Sequence, residues 1–484
     1  MLTFRLDREP WIPVVGADGL ARHCDLVQVF ANASSISHVG GSPLEVAAIT
    51  RFLLAIVHLT ETPTTLESWS KLWRDRAALM DRCAEYVRRR SGTWDLFDAS
   101  CPFGQMPGLK KTVNPAHLLL YEASRKNNAL LLDHSTETAP LRIPAPNLVR
   151  GLITANAYAG SSGGGYRSGP LAMRSVAILS AAALDATLVL NLVVQREPPA
   201  DYDWNSYGRP STGRLEPIDV VRRYLWTSRR LRLIPDDDAP AASTMLLAPG
   251  DELSENERSL DPMVVMRKDS KGTAYVPFRL ETGRALWRSA HVLLNWQEGA
   301  KCVAAVGQLH KLLRRGHFPR DYPVSMRVCA VAGEAQGPTT ELWRDELLPF
   351  GVSVVADEQR YAELVRAVSA AEDRAKATRR RVYAFAARYL QGSSGSQPDE
   401  KDVGRLTGEL TAGPSDLWAA LAPIGDRIAC DGFDETEWGH RLSEASAEAF
   451  RRAVDRLPAN AHRYRAQFAG DYRRAGGPRK GTKA

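Results

Sequence analysis

The six cysteines have no partners in sequence. Cys24, Cys83, Cys101, Cys302, Cys329 and Cys430 are scattered over 484 residues, and no two stand at zinc-ligand or redox-motif spacing. A disulfide framework is excluded, and reduced, packing thiols in a cytoplasmic protein are expected. A Walker phosphate loop is absent too, since no Gly-x4-Gly-Lys-Ser/Thr spacing occurs. The opening Met1-Leu2-Thr3-Phe4-Arg5-Leu6-Asp7 carries charges where a secretory leader needs an apolar run. The most apolar helix candidate, Val46 to Leu59, reads as too short to cross a bilayer and contains Arg51. No membrane partner is expected.

What is present is ordinary in bulk. Hydrophobic content of 44% and charged content of 25% suit a globular chain. The length allows a large core and two or more domains. Lys+Arg 63 against Asp+Glu 56 gives a net charge of +7. That permits a polyanionic partner without requiring one.

The informative stretch is Gly160 to Arg174. Gly160, Gly163, Gly164, Gly165 and Gly169 fall within ten residues, too dense for a helix or a strand interior. A backbone free of Cβ atoms, with Tyr166 and Arg167 inside it, suits contact with a sugar-phosphate chain. A surface loop is the plain alternative. Gly160-Ser161-Ser162-Gly163-Gly164 also matches the Gly-x-Ser-x-Gly nucleophile elbow. That elbow needs a helix directly after the serine, and the following glycines with Pro170 argue against one.

Along the N-terminal part, Phe4 to Val15 reads as strand, turn, strand. Pro10 and Pro13 point to an edge or rim position. Ser42-Pro43-Leu44-Glu45 is a capping box with proline at the first helical position. It should open a buried helix to about Leu59, followed by a second from about Leu66 to Arg90. Trp94 to Gln105 reads as a packed, aromatic-rich loop. Ser124 to Pro146, with Arg125, Lys126, Asn127 and Asn128, reads as a long polar loop able to face a nucleic acid. Strands are expected at Thr187 to Val194, Tyr224 to Ile234 and Val324 to Ala332. Asp236 to Asp261 reads as loop, and Pro262 to Leu280 as a hairpin with Arg267, Lys268 and Lys271 at its turn. Gly333 to Pro338 is a turn with Gln336 near its tip.

From Tyr361 the pattern changes. Tyr361, Leu364, Val368, Ala371, Ala375, Thr378, Val382, Phe385 and Tyr389 step by three and four, the seam of a bundle helix. Further helices are expected at about 401–410, 415–422, 434–457 and 459–474. The fold class is therefore α+β: a large mixed α/β domain over 1–355 and a C-terminal four-helix bundle over 356–484. Arg374, Lys376, Arg379, Arg380 and Arg381 on the first bundle helix, and Arg473, Arg474, Arg479 and Lys480 at the end, could follow a phosphate backbone.

In order and spacing these pieces resemble the large, CasA-type subunit of the type I-E CRISPR surveillance complex, Cascade. Trp11-Ile12-Pro13-Val14, the helix after Pro43, Pro102-Phe103-Gly104-Gln105, Gly163 to Gly169, Thr187 to Val194, Tyr224-Leu225-Trp226, the bundle and Gly476-Gly477-Pro478 carry the likeness. The resemblance implies a subunit without catalytic residues or cofactor. It would bind the protospacer-adjacent motif in double-stranded target DNA from the minor groove. Gly163, Gly164, Gly165 and Arg167 would lie against the motif, with Lys268 and Arg267 reaching the same groove. Gln336 would wedge the duplex open. Arg125, Lys126, Asn127 and Asn128 would dock on the guide RNA 5′ end and the backbone subunits. Further implied partners are the small-subunit dimer and the helicase-nuclease. Some relatives carry a metal-binding cysteine cluster; this chain has none, so no metal is expected. Ala335 stands beside Gln336 where relatives have a polar residue.

Two other functions remain open from the residues themselves. One is a serine hydrolase with Ser162 as nucleophile and His291 or His310 as base. The other is a scaffold that binds RNA and protein without reading DNA.

Overall fold

A computed structural model describes residues 2–121, 141–161, 164–209, 218–281, 283–297, 299–333, 340–392, 395–413 and 416–457. The chain divides into two compact units. One is Met1–Arg284 with Val292–Leu348; the other is Ala285–His291 with Pro349–Ala484. The helical unit thus begins at Pro349 rather than at 356, and it takes in a short segment from before residue 292.

In the first unit the strands, in chain order, are β1 (Ile12–Gly16), β2 (Ala21–Cys24), β3 (Ile36–Val39), β4 (Val113–Pro115), β5 (Ile143–Pro144), β6 (Val176–Ser180), β7 (Arg229–Pro235), β8 (Ala241–Pro249), β9 (Met266–Lys268), β10 (Tyr275–Pro277), β11 (Val324–Gly333) and β12 (Thr340–Phe350). They form a β2-β1-β3 sheet, a β9–β10 hairpin, a β12-β11-β6 sheet, and a sheet centred on β8. β1 is a central strand, against the edge position its prolines suggested. Pro13 is tolerated because the β3 ladder begins only at Val14↔Val39. The Pro13 carbonyl accepts from the Gly40 N–H at 2.8 Å, so the missing N–H falls at the ladder's end.

The Pro43–Thr60 helix is the centre of the core. Ser42 and Glu45 close the capping box at both bonds, 2.9 and 3.4 Å. With 18 residues it is long and apolar enough to span a bilayer, so length does not exclude that role; burial of 78% of it inside the protein marks it as a core helix. Arg51 is accommodated there by an ion pair with Asp261 at 2.6 Å, a bond to the Arg223 carbonyl at 3.0 Å and the Tyr224 ring at 4.7 Å. Phe52 meets Trp11, Phe103 and Trp204 edge-on. The 94–105 loop packs as expected, with Gln105 buried and bonded to Leu96 and Leu233. The expected second helix is two, Leu66–Arg74 and Arg76–Arg89, joined at Asp75.

Three strand readings need correction. Thr187–Val194 is not a strand: Leu184–Leu190 is a helix whose seven residues are all buried. Burial on every face erases both the helical and the strand period. The Asn191 side chain then bonds the Leu179 N–H and C=O at 3.0 and 2.7 Å. Tyr224 ends a short helix, Val220–Tyr224, and the strand starts at Arg229. The acidic stretch read as loop contains β8, which pairs with β7 on one side and with β4 and β5 on the other. Its three alanines and Pro249 have weak strand preference, and pairing on both sides decides its conformation.

In the second unit the seam helix runs Glu358–Gln391 behind the Asp357 cap. Seven of the nine seam positions are buried, and Ala375 and Tyr389 are half-buried. Helices Glu400–Leu410, Leu417–Gly425 and Glu435–Asp455 complete a bundle. One layer joins Val382, Phe385, Val403, Leu410, Phe450 and Ala453. Trp287, from the short inserted segment, packs edge-on against Trp418 and Trp438. A Cβ on Gly425 would lie 2.1 Å from the Trp287 Nε1.

Candidate nucleic-acid interface

The glycine-rich run leaves the buried Ala145–Tyr158 helix and enters β6. Its glycines do different work. Gly164 and Gly165 are exposed with φ of +75° and +85°, a region that side chains with a Cβ avoid. Gly169 is buried instead. A Cβ there would lie 2.5 Å from the Ala157 carbonyl oxygen. The Gly169 N–H donates to Ala159 at 2.7 Å and the Leu171 N–H to Ala157 at 2.9 Å, folding the run back onto the helix end.

Arg229, the first residue of β7, fastens the run. Its buried guanidinium donates from Nη1 to the Arg167 carbonyl at 2.7 Å and from Nη2 to the Gly160 carbonyl. The guanidinium carbon lies 5.1 Å from the Tyr166 ring centre. Tyr166 in turn donates to the Leu247 carbonyl of β8 at 3.2 Å. Burial raises the Tyr166 pKa, and the Arg229 charge opposes the rise. Asn156 sets the base: its Oδ1 accepts the Arg229 N–H at 2.9 Å, and its carbonyl accepts the Ser228 hydroxyl at 2.7 Å. The outcome is an uncharged backbone ledge at Gly164–Gly165, tied at both flanks, with exposed Arg167 beside it. Glu252 lies 3.5 Å from Arg167, and both are solvated.

The β9–β10 hairpin forms as expected, with Lys268↔Tyr275 and Arg267↔Val276 in register. It is rooted on the residues that follow the run. Val265 donates to the Ser175 carbonyl at 3.0 Å, and Ala177 to Met263 at 2.9 Å. Met266 is buried, while Arg267 and Lys268 are exposed. The turn's carboxylate, Asp269, is occupied by the Thr273 N–H at 2.8 Å and hydroxyl at 3.0 Å. The Thr273 amide first of all holds its pKa below the usual carboxylate value. Among the described residues neither Arg267 nor Lys268 has a carboxylate partner. No hydrogen bond or ion pair between described residues joins them to Gly164–Arg167; they share a scaffold, not a contact.

The β11–β12 pair carries the third element. β6 pairs with β11 from Ser325↔Ser180 to Cys329↔Val176, while β11 continues to Gly333. Its last residues therefore run beyond the third strand. At the base Arg327 grips Asp345 with two bonds and donates to the Val39 carbonyl at 2.9 Å. The Tyr121 ring meets Trp343 of β12 edge-on at 5.9 Å. Gln336, Gly163, Arg125, Lys126, Asn127 and Asn128 lie outside the described residues, as do Ser162 and Arg473, Arg474, Arg479 and Lys480. On the bundle, Lys376 lies 3.3 Å from Asp373, and Arg381 covers the Phe450 ring at 4.1 Å.

Residues 164–175 contain no helix, and a helix rather than a strand precedes the run. Both features oppose a nucleophile elbow. His310 is stacked flat on Trp296 at 3.7 Å. Sequence reasoning missed Arg229 and Asn156, which hold the ledge. Sequence marks neither: β7 holds two further arginines, Arg230 and Arg232, and the helix of Asn156 also carries Asn147 and Arg150.

The family described as CRISPR-associated protein Cse1 matches residues 6–459. The CRISPR-associated protein CasA/Cse1 of Thermus thermophilus is 29% identical over 330 residues, spanning 64% of this chain and 63% of that protein. This chain thus aligns with less than two thirds of that relative's length. The solved Cse1 from Acidimicrobium ferrooxidans superposes with a TM-score of 0.78 at 22% identity, over 98% of each chain. A chain of a solved CRISPR RNA-guided surveillance complex gives 0.70 at 17% identity, over 98% of this chain and 99% of that one.

Proposed function

Because this chain belongs to the CRISPR-associated protein Cse1 family, we propose that it is the large subunit of a type I-E RNA-guided surveillance complex. It reads the protospacer-adjacent motif in double-stranded DNA and opens the duplex there. The glycine ledge lies against the minor groove, whose degenerate code suits backbone readout. Lys268 and Arg267 reach the same groove. Gln336, which falls in sequence between β11 and β12, replaces a base-pair stack. Opening one step costs roughly a few kcal/mol. Later exchange of DNA pairs for RNA–DNA pairs is nearly balanced, so the wedge sets where opening starts. Arg125 to Asn128 dock on the guide RNA 5′ end and the backbone subunits. The bundle holds displaced DNA beside the small-subunit dimer and helps recruit the helicase-nuclease. The subunit contributes binding, not catalysis.

The observation that most supports this reading is the ledge: positive-φ glycines, exposed and fastened from beneath by buried Arg229. The test is duplex binding by the guide-loaded complex, with and without this chain, at fixed salt, on targets with and without candidate motifs. Motif-dependent binding that requires the chain, and weakens in Gln336→Ala, is the expected result. Lys268→Ala should weaken binding across sequences and lower the salt slope by about one. A chain that joins the complex yet adds no motif dependence would be a scaffold instead.

A further inference from the structure

Two arginines where the glycine-rich run ends share one exposed carboxylate. Arg174 is 2% exposed, and its Nη2 donates to Glu255 Oε1. Arg258 donates from Nη1 to Glu255 Oε2 at 3.0 Å and from Nη2 to the Ala172 carbonyl at 3.0 Å. Glu255 itself is 63% exposed. One oxygen faces each guanidinium, the geometry in which paired arginines grip a phosphate.

The cluster is unbalanced in charge and in hydrogen bonds. Two cations meet one anion. The nearby carboxylates along the chain are engaged elsewhere: Asp251 with Arg230 at 2.7 Å, Glu257 with Arg223 at 2.7 Å and Asp261 with Arg51 at 2.6 Å. Burial, reinforced by the Arg174 charge, pushes the Arg258 pKa down to about 10. The Nε atoms of both arginines are buried without an acceptor. Among the described residues Glu255 is the one hydrogen-bonding partner of the Arg174 side chain. A nearly buried guanidinium left with unused donors is costly, so Glu255 alone does not complete this site.

We propose that Arg174 and Arg258 form a binding site for a backbone phosphate of duplex DNA, which Glu255 occupies until the phosphate displaces it. The proposal rests on the DNA-reading function above and adds to it a contact and an internal competitor. A phosphodiester carries the same single charge as the carboxylate, so exchange leaves the local charge unchanged. Glu255, already mostly solvated, leaves at little cost. The ligand is a chain of phosphates because the pattern repeats. Arg167 and Arg174 in one run pair with Glu252 and Glu255 in one segment, so the acidic segment shadows the run as a polyanion would. Arg174 and the Ala172 carbonyl belong to the run that carries the ledge.

The test uses the guide-loaded complex on motif-bearing duplex. Glu255→Gln should tighten binding about two- to fivefold, the range of an exposed ion pair. Arg258→Gln should weaken it and lower the slope of log affinity against log salt by about one. In the Arg258→Gln background Glu255→Gln should no longer tighten. Unchanged affinity in Glu255→Gln, while the wild-type complex still binds the motif, overturns the site and leaves the functional reading standing. Tighter guide RNA binding without a change on duplex overturns it as well. If the wild-type chain adds no duplex binding, the functional reading fails, and inorganic phosphate decides the site. Phosphate should raise the melting temperature of the Glu255→Gln chain more than that of wild type; an equal rise overturns the proposal. The same phosphate measurement serves if Glu255→Gln lowers stability.

Discussion

Arg229→Lys keeps the buried charge but removes the fork that ties the glycine-rich run at Gly160 and Arg167. A lysine ammonium is a point donor and can serve one of these carbonyls, not both, at such spacing. Losing one charge-assisted bond costs about 1.5–3 kcal/mol. At about 1.4 kcal/mol per tenfold, opening of the run should become roughly 10- to 150-fold more frequent. The Gly169 N–H, which donates to Ala159 at 2.7 Å, reports that opening. Amide hydrogen exchange at Gly169 should accelerate by that factor, while the Pro43–Thr60 helix exchanges as before. Motif-dependent duplex binding should weaken in step. Unchanged exchange at Gly169 in a folded variant would refute the claim that Arg229 holds the ledge.

Gly250→Ala places a Cβ 2.3 Å from the Ser228 carbonyl carbon and from the Thr227 oxygen; the backbone before β7 must move. A loss of about 1–3 kcal/mol is expected, read as a lower urea midpoint at unchanged slope. Asp261→Asn leaves Arg51 unpaired in the core and should cost about 3–5 kcal/mol; Arg51→Met in the same chain should recover part of it, measured by a double-mutant cycle. His58 is fully buried, and burial holds its pKa at about 3 against 6.5. It stays neutral in the fold, while the unfolded chain takes up a proton below about 6.5. Its contribution is therefore complete above that pH and lost as pH falls toward 3, about 2 kcal/mol at pH 5. Unfolding free energies from pH 7.5 to 5 should fall less steeply in His58→Gln than in wild type.

Much of the fold could be read directly from local signals. The Ser42–Glu45 capping box, the bundle seam and the β9–β10 hairpin each rest on one continuous stretch of chain, and each forms as read. The failures share one cause. The Leu184–Leu190 helix is buried all round and so has no period to read. β8 takes its conformation from strands on both sides, one of them, β4, far earlier in the chain. Pro13 sits in a central strand because a ladder ends beside it. The candidate site divides the same way. The ledge announced itself through its glycines, and the hairpin cations through their cluster. Arg229 lies 69 residues beyond Gly160, and nothing local marks that it will reach back. Nor does sequence distinguish Gly164 and Gly165, needed for their φ, from Gly169, needed for space.

The same distinction bears on charge. A net +7 spread over the chain would suggest diffuse attraction to nucleic acid, but the cations are not equivalent. Arg229 spends its donors on carbonyls inside the protein, and Arg344 divides its donors between two carbonyls and Glu346. Arg51 and Arg223 are buried against carboxylates. Groups so placed cannot reach an approaching phosphate and so displace none of its condensed counterions. Arg267 and Lys268 stand exposed, and the one carboxylate in their turn is already bound to Thr273. Arg167 and the Arg174–Arg258 pair lie between these extremes, each held by a solvated glutamate. Under the proposed function, the ledge's share of the salt dependence of DNA binding comes from this small set, and each member's partner determines how much it can give.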